Sequence, residues 1–166
     1  MGMDKWTLWH VGISVKNMDQ AVAYFKSLGG TTDENPGRVL DSAGFKEYTS
    51  YGKTDTPPWK IKIKMLNLGP LMIEMTEPVE GGNWNETWMK EHGEGVNHIA
   101  FQVDELEKEV DELIAKGVPA MYHVKVTYAY MDARKVGGMV FELFQKRTRP
   151  PGPPPRSTVR TRGRPR

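Results

Sequence analysis

His10-Val-Gly-Ile-Ser-Val15 and His98-Ile-Ala-Phe-Gln-Val103 are two copies of one short pattern, and that pattern decides the fold. Each is a strand-like run that opens on a histidine. Each leads into an amphipathic helical stretch ending at a glycine 19 residues after the histidine, Gly29 and Gly117. The start signals agree as well, because Asn17 with Gln20 and Asp104 with Glu107 are capping-box spacings. Met18, Ala21, Val22, Phe25 and Leu28 recur at helical spacing, as do Leu106, Val110, Leu113 and Ile114. Gly29 and Gly117 suit the left-handed position that follows a helix end. Further along, Gly69-Pro-Leu-Met-Ile-Glu74-Met and Gly137-Gly-Met-Val-Phe-Glu142-Leu each set a glutamate five residues after a glycine, inside an apolar β-run. Matching signals in the same order mark an internal duplication.

Between helix and glutamate, the first half has room for strands near 46–51 and 59–66, the second near 120–124 and 128–132. Each half then reads strand, helix, three strands. The expected fold class is α+β: two βαβββ modules forming a curved mixed sheet with helices outside. The first module is expected over 5–78 and the second over 96–146. The linker at 79–95 should carry a short helix from Asn83, with Trp84 and Trp88 on one face.

Side chains alternate across a strand. Val11, Ile13 and Val15 therefore oppose His10, Gly12 and Ser14, and Ile99, Phe101 and Val103 oppose His98, Ala100 and Gln102. In the last strand of each half, Leu71, Ile73 and Met75 oppose Met72 and Glu74, while Met139, Phe141 and Leu143 oppose Val140 and Glu142. If the apolar faces pack on the helices, His10, Glu74, His98 and Glu142 all fall on the opposite face, the interior of a curved sheet. A carboxylate inside an apolar strand is costly unless a cation compensates it. No lysine or arginine recurs at matching places in both halves, whereas a histidine does. One divalent metal shared by the four residues satisfies all of them; a relic site held by salt bridges or hydrogen bonds is the competing account. Two imidazoles and two carboxylates around a divalent ion make a neutral, non-thiophilic set that suits zinc, nickel, cobalt, manganese, magnesium or ferrous iron alike.

The chain of 166 residues contains no cysteine, which excludes disulfides, thiolate metal sites and cysteine nucleophiles. With 38% hydrophobic residues it can bury a core, yet no apolar run is long enough to span a bilayer, and Met1-Gly-Met-Asp-Lys5 lacks the apolar segment of a signal peptide. A cytoplasmic protein without a membrane partner is expected. The formal charge of +2 hides two populations. Residues 147–166 hold seven arginines, six prolines and no acid, leaving 16 basic against 21 acidic residues in the body, a net of about −5. The Pro/Arg segment offers nothing to a core and reads as a disordered tail. It can attract nucleic acid nonspecifically, but no specific nucleic-acid partner is expected.

The order His, Glu, His, Glu, one pair per module, resembles the vicinal oxygen chelate superfamily (glyoxalase, bleomycin resistance and dioxygenase-like proteins) over residues 6–146. Gly93-Glu-Gly-Val-Asn-His-Ile-Ala-Phe101 and Tyr130-Met-Asp-Ala-Arg-Lys-Val-Gly-Gly-Met-Val-Phe-Glu-Leu143 are similar to parts of methylmalonyl-CoA epimerases, while the four-residue set is closer to glyoxalase I. The resemblance implies a metal-dependent epimerase or isomerase that stabilises an enolate of a carbonyl substrate, a 2-oxo compound or an acyl thioester, with Glu142 or Glu74 as catalytic base, and it implies a homodimer. A glyoxalase I-like lyase, an iron-dependent ring-cleaving dioxygenase and a metal-free antibiotic-binding protein are the alternatives. Those epimerases carry a further glutamate base on a first-half strand; Ile63 or Lys62 aligns there, with Glu47 nearby. They also tend to have glutamine at the position of Glu74. His92 and His123 have no counterpart in the repeat and read as structural or exposed. Lys60, Lys62 and Lys64 face the interior if Ile61, Ile63 and Met65 pack on the helix, and otherwise guard an exposed edge strand. Tyr128 and Tyr130 alternate in the same way and line either a pocket or an aromatic core.

Overall fold

A computed structural model describes residues 3–54, 56–135 and 137–147. The tail expected over 147–166 lies outside the described residues except for Arg147. The elements run β1 (Thr7–Ser14), α1 (Met18–Ser27), β2 (Arg38–Asp41), β3 (Tyr48–Ser50), β4 (Lys60–Leu68), β5 (Leu71–Glu80), α2 (Trp84–His92), β6 (Gly95–Val103), α3 (Leu106–Ala115), β7 (Ala120–Val124), β8 (Tyr128–Ala133) and β9 (Met139–Gln145). Among the described residues the nine strands join one curled mixed sheet in the order β2-β4-β5-β1-β6-β9-β8-β7-β3. Strands β1 and β6 run antiparallel at its centre, and each pairs in parallel with the last strand of its own half, β1 with β5 and β6 with β9. Outward from that seam the two halves repeat the same pairings, β5-β4-β2 on one side and β9-β8-β7 on the other.

The helices cover one face. Ile13, Val15, Ile73, Met75 and Leu66 pack with Met18 of α1, while Val103, Ala129, Met131 and Leu143 pack with Leu106, Val110 and Leu113 of α3. The Asn17 side chain caps α1 by accepting from Gln20 N, and Asn83 caps α2 by accepting from Glu86 N. Helix α3 departs from expectation: Asp104 does not cap it. Its N-cap is Glu105 without a side-chain bond, and the Gln145 Oε1 at the end of β9 accepts from Leu106 N instead. The first turn is thus closed by a residue distant in sequence.

Two further expectations are corrected. Strand β2 was not foreseen, and β3 does not join its own half. It pairs with β7 at the far edge of the sheet, so Phe45 and Tyr48 cross over to close the concave face. The lysines of β4 also point the other way. Leu66 sits in the core under α1, so Lys60, Lys62 and Lys64 share that outer face by alternation. There Lys60 pairs with Glu80, Lys62 with Asp19 of α1, and the buried Lys64 with Asp33 and the Asn35 carbonyl. Ile61 and Ile63 join Trp59 on the concave face, and β2 covers β4, which is therefore not an edge strand. Among the described residues no helix is long and apolar enough to cross a membrane.

Candidate metal centre

The register of the central strands brings the four repeat-matched residues together. Across β1 and β6, His10 stands opposite Ala100 and His98 opposite Gly12. The parallel partners of those two small residues are the glutamates, Gly12 with Glu74 and Ala100 with Glu142. Each histidine therefore reaches over a small residue towards the seam, and the glutamates approach from the strands on either side. His10, Glu74, His98 and Glu142 are all buried, at 0%, 7%, 1% and 2% exposure. Each offers one donor atom to a cluster whose members lie within 4.8 Å of one another.

The distances are short. His10 Nε2 lies 3.3 Å from His98 Nε2, 3.0 Å from Glu142 Oε2 and 3.6 Å from Glu74 Oε2. His98 Nε2 lies 3.3 Å and 3.5 Å from the same two carboxylate oxygens. Although these contacts are at ion-pair distance, neither Glu74 Oε2 nor Glu142 Oε2 has a hydrogen-bond partner among the described residues. The two imidazole Nε2 atoms are within hydrogen-bond distance of each other, but carboxylate oxygens left unpartnered this close to them are what donors show when they aim at a common point. Ligands held about 2.0–2.2 Å from one ion come to rest at about this mutual spacing. The donor set fits a divalent metal.

Without a metal, the cluster holds its charges by mutual compensation. Burial alone pulls the His10 imidazole down, but the adjoining Glu142 and Glu74 carboxylates outweigh it and push it up to about 10. His98 is likewise raised by the two glutamates against the effect of burial. Burial raises Glu74, and the two histidines more than reverse that, bringing it to about 2.

Each histidine is preceded by a bulged residue that touches its ring, a feature the strand alternation does not reveal. The β1–β6 register skips Trp9 before His10 and Asn97 before His98, and such an extra residue turns its side chain out of the regular alternation. Trp9 packs on His10, with ring centroids 4.8 Å apart. The His98 Nδ1–H donates to Asn97 Oδ1 at 2.7 Å, which leaves Nε2 as the free lone pair facing the cluster. Asn97 is itself fixed, its Nδ2 donating to Ser14 Oγ and Asn85 Oδ1. His10 Nδ1 has no partner among the described residues, so on that side the ring is held by packing. Gly12 is the other residue missed: a Cβ there would lie 1.7 Å from the His98 ring.

Above the cluster the concave face leaves a cavity of about 150 Å³, with Glu74 and Glu142 in its wall. Tyr130 stands opposite Glu142 across β8–β9 and Tyr128 opposite Phe144. Burial first, then the Glu142 charge, raises both phenols well above the usual value, so each remains a hydroxyl. Both tyrosines line the cavity and pack in the aromatic cluster behind it. Trp84 of α2 closes one end, with ring centroids 5.9 Å from His98 and 5.1 Å from Tyr130. The remaining sequence candidates lie elsewhere. Glu47 pairs with Lys125 at 3.5 Å beside a separate, open depression. His123 contacts Glu107, and His92 stacks on Trp88.

Known proteins place this arrangement. The sequence matches the Glyoxalase/Bleomycin resistance protein/Dioxygenase superfamily over residues 9–136. No curated protein matches the chain. Among solved structures, a hypothetical protein from Bacillus halodurans C-125 is similar with a TM-score of 0.62 and 22% identity, covering 89% of this chain and 99% of its own. Methylmalonyl-CoA epimerase from Mycobacterium tuberculosis is similar with a TM-score of 0.60 and 18% identity, covering 86% and 89%. A Streptomyces coelicolor methylmalonyl-CoA epimerase variant in complex with 2-nitronate-propionyl-CoA has a TM-score of 0.56 and 18% identity, covering 86% and 98%. At these identities the solved structures share the fold alone. The family match covers most of the chain, and the chain belongs to the Glyoxalase/Bleomycin resistance protein/Dioxygenase superfamily.

Proposed function

We propose that the protein is a divalent-metal-dependent enzyme that moves a proton next to a carbonyl group, an epimerase or isomerase in outcome. The observation that supports this most is the pair of buried glutamate oxygens without hydrogen-bond partners, facing two imidazole Nε2 atoms at the floor of a cavity. His10, Glu74, His98 and Glu142 would hold the ion. A divalent metal there supplies Lewis acidity, stabilising negative charge that develops on a carbonyl oxygen.

The chain's own residues supply the rest. Glu142 lies in the cavity wall, within reach of a substrate carbon, and serves as the base that takes the proton. Glu74 occupies the repeat-matched place on the other side of the seam; having taken up a proton from solvent it can deliver that proton to the opposite face, while Glu142 keeps the one it removed and loses it to solvent before the next turnover. Return to the same carbon inverts it, and return to a neighbouring atom isomerises the substrate. Tyr130 stays protonated beside Glu142, which makes it a donor to that carboxylate rather than a competing base. The aromatic walls exclude water, which would otherwise screen these charges. Four protein donors, rather than two histidines and one carboxylate, argue against a ring-cleaving dioxygenase. Their convergence argues against a metal-free binding protein.

Glu142→Gln tests the reading, because it keeps side-chain volume and an oxygen donor but removes the base. With metal-loaded wild type, solvent deuterium should enter one or more of a panel of 2-oxo compounds and acyl thioesters. The variant should exchange about 10²–10⁴-fold more slowly. Wild-type rates in a metal-loaded variant would reduce Glu142 to a structural ligand. No exchange by metal-loaded wild type across the panel would contradict the function.

A further inference from the structure

We infer that the substrate is a small carbonyl compound with a ring-sized apolar body and a carboxylate at its far end, which Arg38 and Arg147 receive at the mouth of the cavity. This rests on the function proposed above and narrows it to small acids rather than coenzyme A thioesters.

Size is the first argument. At about 150 Å³ the cavity matches an apolar cavity known to admit benzene, and it falls below the roughly 300–1,000 Å³ of sites for larger ligands. A coenzyme A chain would have to lie outside it. The lining is the second. Trp59, Ile61, Ile63 and Phe144 give the cavity an apolar wall against which a ring can lie, while Asn83, Asn85, Tyr128 and Tyr130 also line it. Trp59 is locked in place by donating its indole N–H to the Tyr48 hydroxyl at 3.0 Å.

Charge is the third. Arg38 lies opposite Ile63 in the β2–β4 ladder, so it shares the concave face with Ile61, Ile63 and Leu40. It is solvent-exposed and lines the cavity, as does Arg147 just beyond β9. Neither has an ion-pair partner among the described residues. The three lysines of the neighbouring strand are all paired on the outer face, so the cavity keeps two uncommitted cations. Tyr128 lines the same cavity as Glu74 and Glu142 and as Arg38, so acidic and basic groups share one wall system. A ligand that spans the cavity meets the metal centre at one end and guanidinium at the other, and guanidinium favours the two oxygens of a carboxylate. The larger open depression of about 660 Å³ contains none of His10, Glu74, His98 and Glu142 in its lining, so a ligand held there would not meet the metal centre.

Three probes separate these contributions in calorimetric titrations of the metal-loaded protein: 4-oxo-4-phenylbutanoate, its primary amide, and 4-oxopentanoate, which keeps the acid but lacks the ring. Wild type should bind the aryl acid about tenfold or more tighter than either of the others, which corresponds to a single charge-assisted contact or one buried ring. In the double variant R38Q/R147Q, with metal content unchanged, the preference for acid over amide should collapse to within about twofold while ring recognition persists. Equal binding of acid and amide by wild type, an acid preference that survives in the double variant, or no binding of the aryl acid would overturn the inference. None of these results touches the metal centre. Absence of metal from the wild type would instead remove the reading on which the inference rests.

Discussion

Gly12→Ala isolates the geometry of the centre from its chemistry, because the change adds one methyl group and removes no donor. Gly12 has an ordinary backbone, so space alone requires the glycine. The new Cβ would lie 1.7 Å from His98 Cε1, 2.1 Å from Nδ1 and 2.2 Å from Nε2. No side-chain rotation of alanine relieves such contacts; the imidazole or the backbone must move. The ring is held through Nδ1 by Asn97, which Ser14 and Asn85 fix in turn, so displacing it breaks a buried polar network and takes Nε2 out of the donor set. Overpacking of a tight interior typically costs about 1–3 kcal/mol, which for a domain of this size lowers Tm by about 2–12 °C. Metal affinity should fall by more than the 10–100-fold typical of changes behind the ligands, since a ligand itself is displaced. Gly44→Ala is the control, because a Cβ there meets nothing within 4 Å. Differential scanning fluorimetry and metal titration of the two variants provide the assay. Wild-type metal affinity in Gly12→Ala would show that the His98 ring does not lie across Gly12.

Two predictions concern the same centre. Asn97→Ala removes the acceptor that fixes the His98 tautomer and should weaken metal binding about 10–100-fold while leaving all four ligands in place; unchanged affinity in a metal titration would show that packing alone orients the ring. In the metal-free protein His10 is raised from 6.5 to about 10 and Glu74 lowered from 4.5 to about 2. The His10 contribution to stability is then complete below about pH 6.5 and lost as pH rises through about 10, and the Glu74 contribution is complete above about pH 4.5 and lost as pH falls towards about 2. Denaturant melts of chelator-treated protein should therefore show a fall in stability between about pH 6.5 and 10, and metal uptake near neutral pH should release protons, measurable by calorimetry in buffers of different ionisation enthalpy. A flat profile over that range, with no proton release, would contradict the compensated cluster.

Much of the fold could be read from the sequence because its signals are local and occur twice. The histidine-to-glycine spacing, the Asn17 and Asn83 caps and the glycine-to-glutamate spacing each depend on residues within one element, and strand alternation carried the four donors to a common face. The misreadings came where distant partners decide. Asp104 and Glu107 have a capping-box spacing, yet Gln145 from β9 performs the capping. Strand β3 has no mate in its own half, and nothing local shows that it pairs with β7. For β4 the sequence offers isoleucines under the helix or an edge strand guarded by lysines, and neither holds: Leu66 takes the place under α1, the isoleucines wall a cavity and β2 covers the strand. Asn97 was missed because alternation puts the neighbour of His98 on the other face, and only the bulge returns it to the site. Gly12 could have been suspected from the repeat, where it matches Ala100, since both positions must be small for an opposing imidazole to cross.

The metal content of the purified protein, measured by elemental analysis on wild type and His98→Ala in parallel, shows whether the four residues hold an ion. Removing one imidazole takes away a quarter of the donor set and leaves two buried carboxylates less compensated, which is strongly unfavourable. Wild type is predicted to hold about one divalent ion per chain and His98→Ala essentially none, with circular dichroism confirming that the variant is folded. A folded variant that retains one ion per chain, or a wild type that takes up none when offered zinc, nickel, cobalt, manganese, magnesium or ferrous iron, would contradict the assignment of His10, Glu74, His98 and Glu142 as a metal centre.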